Sequence, residues 1–298
     1  MPSPASGAQV ALRKVLFATD FSSCSEIALR YCVGWSRHFD ATLYTVSVVS
    51  AGIAYVQPPD PLYFRHSAED KMTRLVSSDL FQGIKHLELV KDGFGDVSEV
   101  LLELIERLQI DLIVLGTHGR GGIKKLVLGS VAEDIVNRAP CAVLTIGPHV
   151  SPESVSEAKL QKILCATDLR PGSENVLAYA LWLAKEEHAH LTLLHVLKMP
   201  GGAPSGRPGV EKDIAMKQLV QLLPAETSAL LEVECIVEIG APGERILRVA
   251  EVHCMDLIVI GRHHTFHPRV SAHLPWAMLH QVLRHAGCPV LRCMTDVI

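Results

Sequence analysis

The residues of this chain that are best suited to binding an anion lie in one stretch, DLIVLGTHGRGGIKKLVLGS, at positions 111–130. An apolar run from Leu112 to Leu115 is typical of a buried parallel strand, and it stops at Gly116. A loop rich in glycine and basic residues follows and closes at Gly129. Because glycine lets the backbone approach a ligand closely or take a positive φ, this loop can present its amide groups.

Ser130 and Glu133 form a capping box, which predicts that a helix opens at Ser130. The first amides of a helix lack internal partners and lie at the positive end of its dipole, so strand, loop and helix start together predict a phosphate site. The alternative is a flexible hairpin or lid with incidental glycines, which the flanking strand and helix start disfavour. The spacing fits neither the Walker A pattern nor the dinucleotide fingerprint.

The composition is that of a globular chain with a large interior. Of its 298 residues, 48% are hydrophobic and 20% are charged, and this length suits two domains. The net charge of -4 argues against a nucleic-acid partner, because phosphate backbones are bound by basic surfaces. We find no apolar run long enough for a membrane span, no secretory signal and no C-x-x-C pair among eight cysteines. These features predict a cytoplasmic protein without a membrane partner.

Three phrases of the first half return in the same order in the second half. KVLFATD at 14–20 returns as KILCATD at 162–168, DLIVLG at 111–116 as DLIVIG at 256–261, and APCAVL at 139–144 as AGCPVL at 286–291. Three ordered matches with nearly equal displacement predict an internal duplication, with one domain at 1–150 and a second at 151–298.

Strands and helices alternate in the predicted secondary structure of both halves. The predicted strands are 14–20, 42–49, 86–90, 111–116, 142–146, 162–168, 191–197, 231–238 and 256–261, with a last strand at the second APCAVL-like phrase. The predicted helices are 23–36, 68–82, 97–108, one from 130, 173–187, 210–223 and 243–253, the first of them capped by Ser23. The segments 50–62 and 199–209 are predicted to be irregular.

This alternation predicts two tandem doubly wound, Rossmann-like α/β domains, each a five-stranded parallel sheet of order 3-2-1-4-5 with helices on both faces. Ligands of such sheets bind where strands 1 and 4 diverge, which is where Asp20 and Gly116 would meet. The Asp20 carboxylate suits a ribose or a purine edge, or else it caps the next helix, a task for which Ser22 and Ser23 compete. Val48 would offer backbone groups and an apolar wall to a base, or it is plain core.

Both halves resemble domains of the universal stress protein family over nearly the whole chain. The spacing Gly116, two residues, Gly119, nine residues, Gly129-Ser130 matches the nucleotide motif of that family, and Ala-Thr-Asp at 18–20 matches the end of its first strand. The resemblance implies an adenine-nucleotide-binding fold with ATP as ligand, with or without Mg²⁺. The residues that it places at the nucleotide are Ala18, Thr19, Asp20, Val48, Leu115, Gly116, His118, Gly119, Arg120, Gly129, Ser130, Val131 and Ala132.

The second half departs from this motif. His264 replaces the second glycine, and Leu274-Pro275 falls where Gly-Ser should be. An alignment that absorbs the longer loop places Trp276-Ala277 there, which fits no better. Since side chains then occupy the space that phosphate needs, we expect no ATP in this half, although Asp168 and Val196 are kept.

Four histidines lie close together in the second-half loop, and they are His263, His264, His267 and His273. Imidazole suits zinc, but no cysteine or acidic ligand accompanies them at the usual spacing. We therefore predict a solvated, degenerate loop rather than a metal site.

Three functions stay open at this stage. The first is a tandem stress protein that binds ATP in one half and acts as a stress-response binding and signalling module. The second is a slow ATPase or phosphotransferase with Arg120, Lys124 and Lys125 on the phosphates, for which His118 is the one candidate base. The third is a nucleotide-free dimerisation scaffold. Family domains pair through their last strands, which implies intrachain pairing of the two halves and leaves a further homodimer open.

Overall fold

Strands and helices alternate along the chain in the computed structural model, which describes residues 10–49, 61–93, 96–117, 128–151, 160–198, 208–225, 227, 231–262 and 273–294. The strands of the first half are β1 (Lys14–Ala18), β2 (Thr42–Val49), β3 (His86–Asp92), β4 (Leu112–Gly116) and β5 (Ala142–Ile146). Those of the second half are β6 (Lys162–Thr167), β7 (His190–Leu197), β8 (Val233–Ile239), β9 (Leu257–Arg262) and β10 (Val290–Met294). The central strands are buried on both faces, as their apolar runs predict.

The helices of the first half are α1 (Ser23–His38), α2 (Pro61–Val76), α3 (Val97–Leu108) and α4 (Ser130–Arg138), with a 3₁₀ turn at Asp79–Phe81. Those of the second half are α5 (Ser173–Glu187), α6 (Pro208–Leu222), α7 (Pro242–Val252) and α8 (His273–His285). The predicted bounds of α3 and α5 agree with these ranges. Both α2 and α6 begin earlier than predicted, each at a proline, because the fixed φ of proline and its missing N–H suit the first helical turn.

The end of α2 also differs from the predicted helix at 68–82. Ser77 Oγ donates to Thr73 O at 2.7 Å, and Ser78 Oγ donates to Leu75 O at 2.7 Å. Serine hydroxyls that bond to nearby carbonyls compete with the helical backbone pattern. The helix therefore stops at Val76, and a short 3₁₀ turn carries the chain towards β3.

The described strands form one sheet of order β3-β2-β1-β4-β5-β10-β9-β6-β7-β8. Within each half the neighbours are parallel and follow the predicted order 3-2-1-4-5. The halves meet where β10 runs antiparallel to β5, with Leu291 opposite Leu144. Since these leucines occupy equivalent places in the repeated phrase, the junction has an approximate two-fold axis.

A hydrophobic cluster covers each face of the sheet. On the face of α1 and α5 it contains Val15, Leu144, Ile163 and Leu291. On the face of the helices α3, α4, α7 and α8 the second cluster contains Ile113 and others of both halves. Because both clusters include residues on either side of the β5–β10 junction, the two halves share their hydrophobic core.

The eight cysteines are free thiols. Burial raises the pKa of Cys141, Cys165 and Cys288 to about 12, so these thiols stay protonated and act as small apolar side chains. Among the described residues, no helix is long and apolar enough to cross a membrane. The same part of the chain holds no cluster of three or more metal-ligating side chains, and the histidines at 263, 264 and 267 lie outside it.

Candidate functional site

The turn after β1 places Thr19 and Asp20 at the carboxyl edge of the sheet. Ala18, the last residue of β1, pairs with Val46 of β2 on one side and Leu115 of β4 on the other. The backbone N–H of the buried Thr19 then donates to Val46 O at 2.9 Å, which continues the pairing for one more residue. Asp20 therefore lies at the point where β1 and β4 diverge, as predicted.

Asp20 holds the start of α1. Its Oδ1 accepts a hydrogen bond from the Ser22 backbone N–H at 3.0 Å and another from Ser25 Oγ at 2.7 Å. The N-cap of α1 is Ser22, whose Oγ accepts from the Ser25 N–H at 3.4 Å. The predicted cap, Ser23, is wrong by one residue, because the turn that Asp20 organises lets Ser22 face the first free amides.

The same turn occurs in the second half. Asp168 Oδ1 accepts from the Arg170 N–H at 3.1 Å and from Ser173 Oγ at 3.1 Å. Phe21 and Leu169, which follow the two aspartates, both have φ of 60°, a left-handed conformation that bulky residues rarely adopt. Since the turn is kept in a half whose glycine motif is lost, Asp20 has a structural task besides any contact with a ligand.

Gly116 is a glycine for a reason that the sequence did not reveal. Its φ is not in the left-handed region, but a Cβ at this position would lie 2.9 Å from Cys24 Cβ and 3.2 Å from the Cys24 carbonyl carbon. The end of β4 thus packs directly against the first turn of α1. The expectation that Gly116 leaves room for a ligand was incomplete, because the close neighbour within the protein is α1.

We expect Gly116→Ala to destabilise the protein by about 1–3 kcal/mol, because neither Cβ nor backbone atoms of Cys24 can rotate away. The matched control is Gly243→Ala in α7, where the nearest atoms belong to the flexible end of the Gln281 side chain. That change should alter the free energy of unfolding by less than about 1 kcal/mol. Urea unfolding of both variants measures the difference, and equal losses would show that the Gly116 contact is not tight.

Thr117 closes the base of the glycine loop, a role that the sequence analysis missed. This residue is buried, its N–H donates to Ile146 O at 2.9 Å, and its own carbonyl accepts from the Gly129 N–H at 2.8 Å. The chain that leaves β4 is therefore tied to the chain that enters α4. The repeat gave no signal for this role, because Arg262 stands at the equivalent position after Gly261.

In the described part of the chain, the first amides of α4 have no intrahelical partner. Its first intrahelical bond runs from the Glu133 N–H to Gly129 O at 2.9 Å, so the amides of Ser130, Val131 and Ala132 precede the helical pattern. Gly129 is the N-cap, and it has no side chain that could cap the helix. The predicted capping box of Ser130 is therefore wrong, although the helix does open at Ser130. An uncapped helix start next to the carboxyl ends of β1 and β4 is suited to an anion.

Val48 turns its backbone towards the gap beside β1. Val46 O accepts from Thr19 N on the β1 side of β2, whereas Val49 O accepts from Gly93 N at 2.8 Å on the β3 side. Because backbone groups alternate between the two sides of a parallel strand, the N–H and C=O of Val48 face the β1 side, beyond the last residue of β1. This geometry suits a planar ligand that forms hydrogen bonds with backbone.

The remaining predicted site residues are Leu115, His118, Gly119 and Arg120. The Leu115 side chain is buried in the core, so its backbone alone can reach a ligand. The other three lie outside the described residues, as do Lys124 and Lys125.

A polar link holds α4 to α3 behind the site. Ser98 Oγ lies 2.9 Å from Asp134 Oδ2 of α4 and also contacts Asp96, the N-cap of α3. The hydroxyl and backbone N–H of Ser98 lower the pKa of Asp96, with a smaller contribution from the positive charge of Arg138. Asp96 therefore stays ionised at neutral pH and keeps its capping bonds.

The equivalent helix of the second half starts earlier. The helices α4 and α8 end directly before the repeated alanines, Ala139 and Ala286, but α4 has 9 residues and α8 has 13. The extra turn therefore lies at the amino end of α8 and lengthens it by about 6 Å towards the edge of the sheet. Ala277, which corresponds to Ser130, now lies inside the helix, where its amide has an intrahelical partner.

Comparison with known sequences decides the family. The sequence profile of the Universal stress protein family matches residues 11–147 and again residues 159–293. The chain belongs to the universal stress protein family. Its two universal stress protein domains stand in tandem, and the motif residues of the first copy are those described above.

Relatives of single-domain length and structures of two-domain length both match this universal stress protein. A universal stress protein of Methanocaldococcus jannaschii is 27% identical over 141 residues, which are 45% of this chain and 81% of the relative. A putative one of Staphylococcus aureus is 28% identical over 170 residues, 56% of this chain and 99% of that protein. A solved universal stress protein from Archaeoglobus fulgidus covers 96% of this chain and 98% of its own, with a TM-score of 0.73 at 19% identity. At that identity the structural match shows the fold.

Proposed function

We propose that the first half of this universal stress protein binds ATP and that the second half does not. The observation that carries this proposal is the uncapped start of α4, where the amides of Ser130, Val131 and Ala132 precede the first helical bond. A triphosphate is an anion that such amides and the helix dipole stabilise. The free edge of Val48 gives the adenine ring a hydrogen-bonding backbone a short distance along the same sheet edge.

Each part of the nucleotide has a fitting partner in this proposal. The adenine ring lies against Val48, the ribose near Asp20 and Gly116, and the phosphates at the start of α4. The loop residues His118, Gly119 and Arg120 extend the phosphate site. Mg²⁺, when bound with the nucleotide, neutralises part of the phosphate charge.

We expect calorimetric titration of the full chain with ATP to give one site per chain. The extra turn of α8 uses the amides that the second half would need, and Pro275 has no N–H to offer there. Asp168→Asn, in the second half, should leave both stoichiometry and affinity unchanged. Two sites per chain, or binding that Asp168→Asn removes, would contradict the assignment to the first half.

Turnover measured on the same samples separates a binding protein from an enzyme. We propose that ATP hydrolysis is slow, because the carboxylate in the described part of the site, Asp20, is engaged by Ser22 and Ser25 at the start of α1. Rapid release of phosphate at saturating ATP and Mg²⁺ would instead support an ATPase or a phosphotransferase.

The wider role that we propose is a cytoplasmic binding and signalling module of the stress response. The antiparallel contact between β5 and β10 supports association of the two halves within one chain. The outer strands β3 and β8 are edges of the sheet, and a homodimer would be one way to cover them.

A further inference from the structure

Arg292 is a fully buried cation at the junction of the two halves. It lies on β10, it is 0% exposed, and it is among the largest side chains enclosed in the core. An arginine stays charged in proteins, and a buried charge is tolerated where hydrogen bonds satisfy it. The partners of Arg292 therefore decide what it does.

The hydrogen bonds that the structure describes for Arg292 lie mainly with the other half. The guanidinium donates to Ala139 O at 2.9 Å, to Cys141 O at 3.1 Å and, at 3.4 Å, to Ile135 O. A fourth contact, to Met294 Sδ at 2.7 Å, stays within β10. Ile135 and Ala139 belong to the last turn and the C-cap of α4, where carbonyl groups carry the negative end of the helix dipole. Arg292 thus caps from the second half the helix whose amino end is the proposed phosphate site.

Within the residues that the structure describes, the contact of Arg292 with α4 has no counterpart at the symmetry-equivalent residue. About the approximate two-fold axis at Leu144 and Leu291, the residue equivalent to Arg292 is Thr145. Thr145 Oγ1 donates to Val290 O at 3.1 Å, which keeps its contact within the strand pair. Among the described residues, the hydrogen bond of Thr145 therefore stays between the two strands, whereas those of Arg292 reach α4.

Helix α4 needs such support because it is short. It has nine residues, and isolated helices below about 12–15 residues are marginal in water. A site built on its first amides binds a ligand only in molecules in which the helix is formed and in place. The measured affinity falls in proportion to that competent fraction.

We propose that Arg292 is a positioning residue for the nucleotide site, through which the second half holds α4 in its binding-competent place. This inference rests on the proposed ATP site in the first half. It gives the second half a function that does not require this half to bind a nucleotide. Arg292 contacts the carboxyl end of α4 and touches no ligand.

The test compares Arg292→Met with the symmetry-matched Thr145→Val in the full chain. Methionine roughly keeps the apolar volume but removes the donors. We expect ATP affinity to fall roughly tenfold at unchanged stoichiometry in Arg292→Met, and to stay within twofold of wild type in Thr145→Val. Arg292→Lys, which keeps the charge without the planar fork, should recover part of the affinity and guards against a variant that does not fold.

Hydrogen exchange without nucleotide gives a readout that does not depend on ATP. In Arg292→Met the amides of α4 should exchange faster than in wild type, while those of α8 keep their rates. Wild-type ATP affinity in a folded Arg292→Met would overturn the proposed role of Arg292. An equal rise in exchange over α4 and α8 would also overturn it, because a general loss of stability affects both helices. Failure of wild-type protein to bind ATP would sink the proposed site, and unequal exchange of α4 and α8 would still support the contact with α4.

Discussion

Ser130→Asp is expected to weaken ATP binding about a hundredfold while the fold keeps its stability. Ser130 is exposed and is the first residue of α4, so the new carboxylate would lie among the amides that face the phosphates. Repulsion between such close charges is worth about 3 kcal/mol at an intermediate dielectric constant, which is roughly a hundredfold in affinity. An acidic residue at a helix start is favourable to the helix itself, so thermal unfolding should not shift downwards.

The matched control for Ser130→Asp is Ala277→Asp in the second half. Ala277 is exposed on α8 at the equivalent position, and the expected ATP affinity is that of wild type. Calorimetric titration measures both variants. Gly129→Val should also remove binding, but its Cβ would lie 3.2 Å from Thr117 O, so part of its effect would come from strain. Wild-type binding by Ser130→Asp would refute the phosphate site at α4.

Truncation of either junction leucine should cost about 2–5 kcal/mol of the free energy of unfolding. Leu144 and Leu291 face each other across β5 and β10, and both are 0% exposed within one cluster that contains residues of both halves. Leu144→Ala or Leu291→Ala therefore leaves a cavity in a core that both halves share. Unfolding in urea, followed by circular dichroism, measures the loss.

The control for these variants is Leu87→Ala on the edge strand β3, where the leucine is 50% exposed. Its expected cost is within about 0.5 kcal/mol. Because the halves share both clusters, wild type should unfold in one transition, and the double variant Leu144→Ala with Leu291→Ala should deviate from additivity. Two separate transitions in wild type would show that the halves are independent units.

The sequence alone determined the repeated α/β architecture. Apolar runs with β-branched residues, such as Leu112 to Leu115, favour strands that are covered on both faces. Alternation with helices and right-handed crossovers then leave few strand orders, and the observed order in each half was among them. The bounds of β2, α3 and β5 could be predicted because their signals are local.

Helix starts were harder to predict, because neighbouring side chains compete for the same free amides. Ser22 and Ser23 are both good caps, and the choice of Ser22 depends on the turn that Asp20 holds. At α4 the sequence offered a capping box, yet the start of the helix is set by the bond from the Gly129 N–H to Thr117 O. In both cases the contact involves a residue that precedes the helix, Asp20 at α1 and Thr117 at α4.

The tertiary structure alone decided what Gly116 and Arg292 do. Gly116 is separated by more than ninety positions from Cys24, against which it packs. Arg292 is separated by 153 positions from Ala139 and by 157 from Ile135, the residues through which it caps α4. Local sequence patterns do not predict such contacts, because they form only when the sheet brings distant strands together. The sequence thus predicted which residues bind a nucleotide, and the fold determined where the backbone amides at the start of α4 lie.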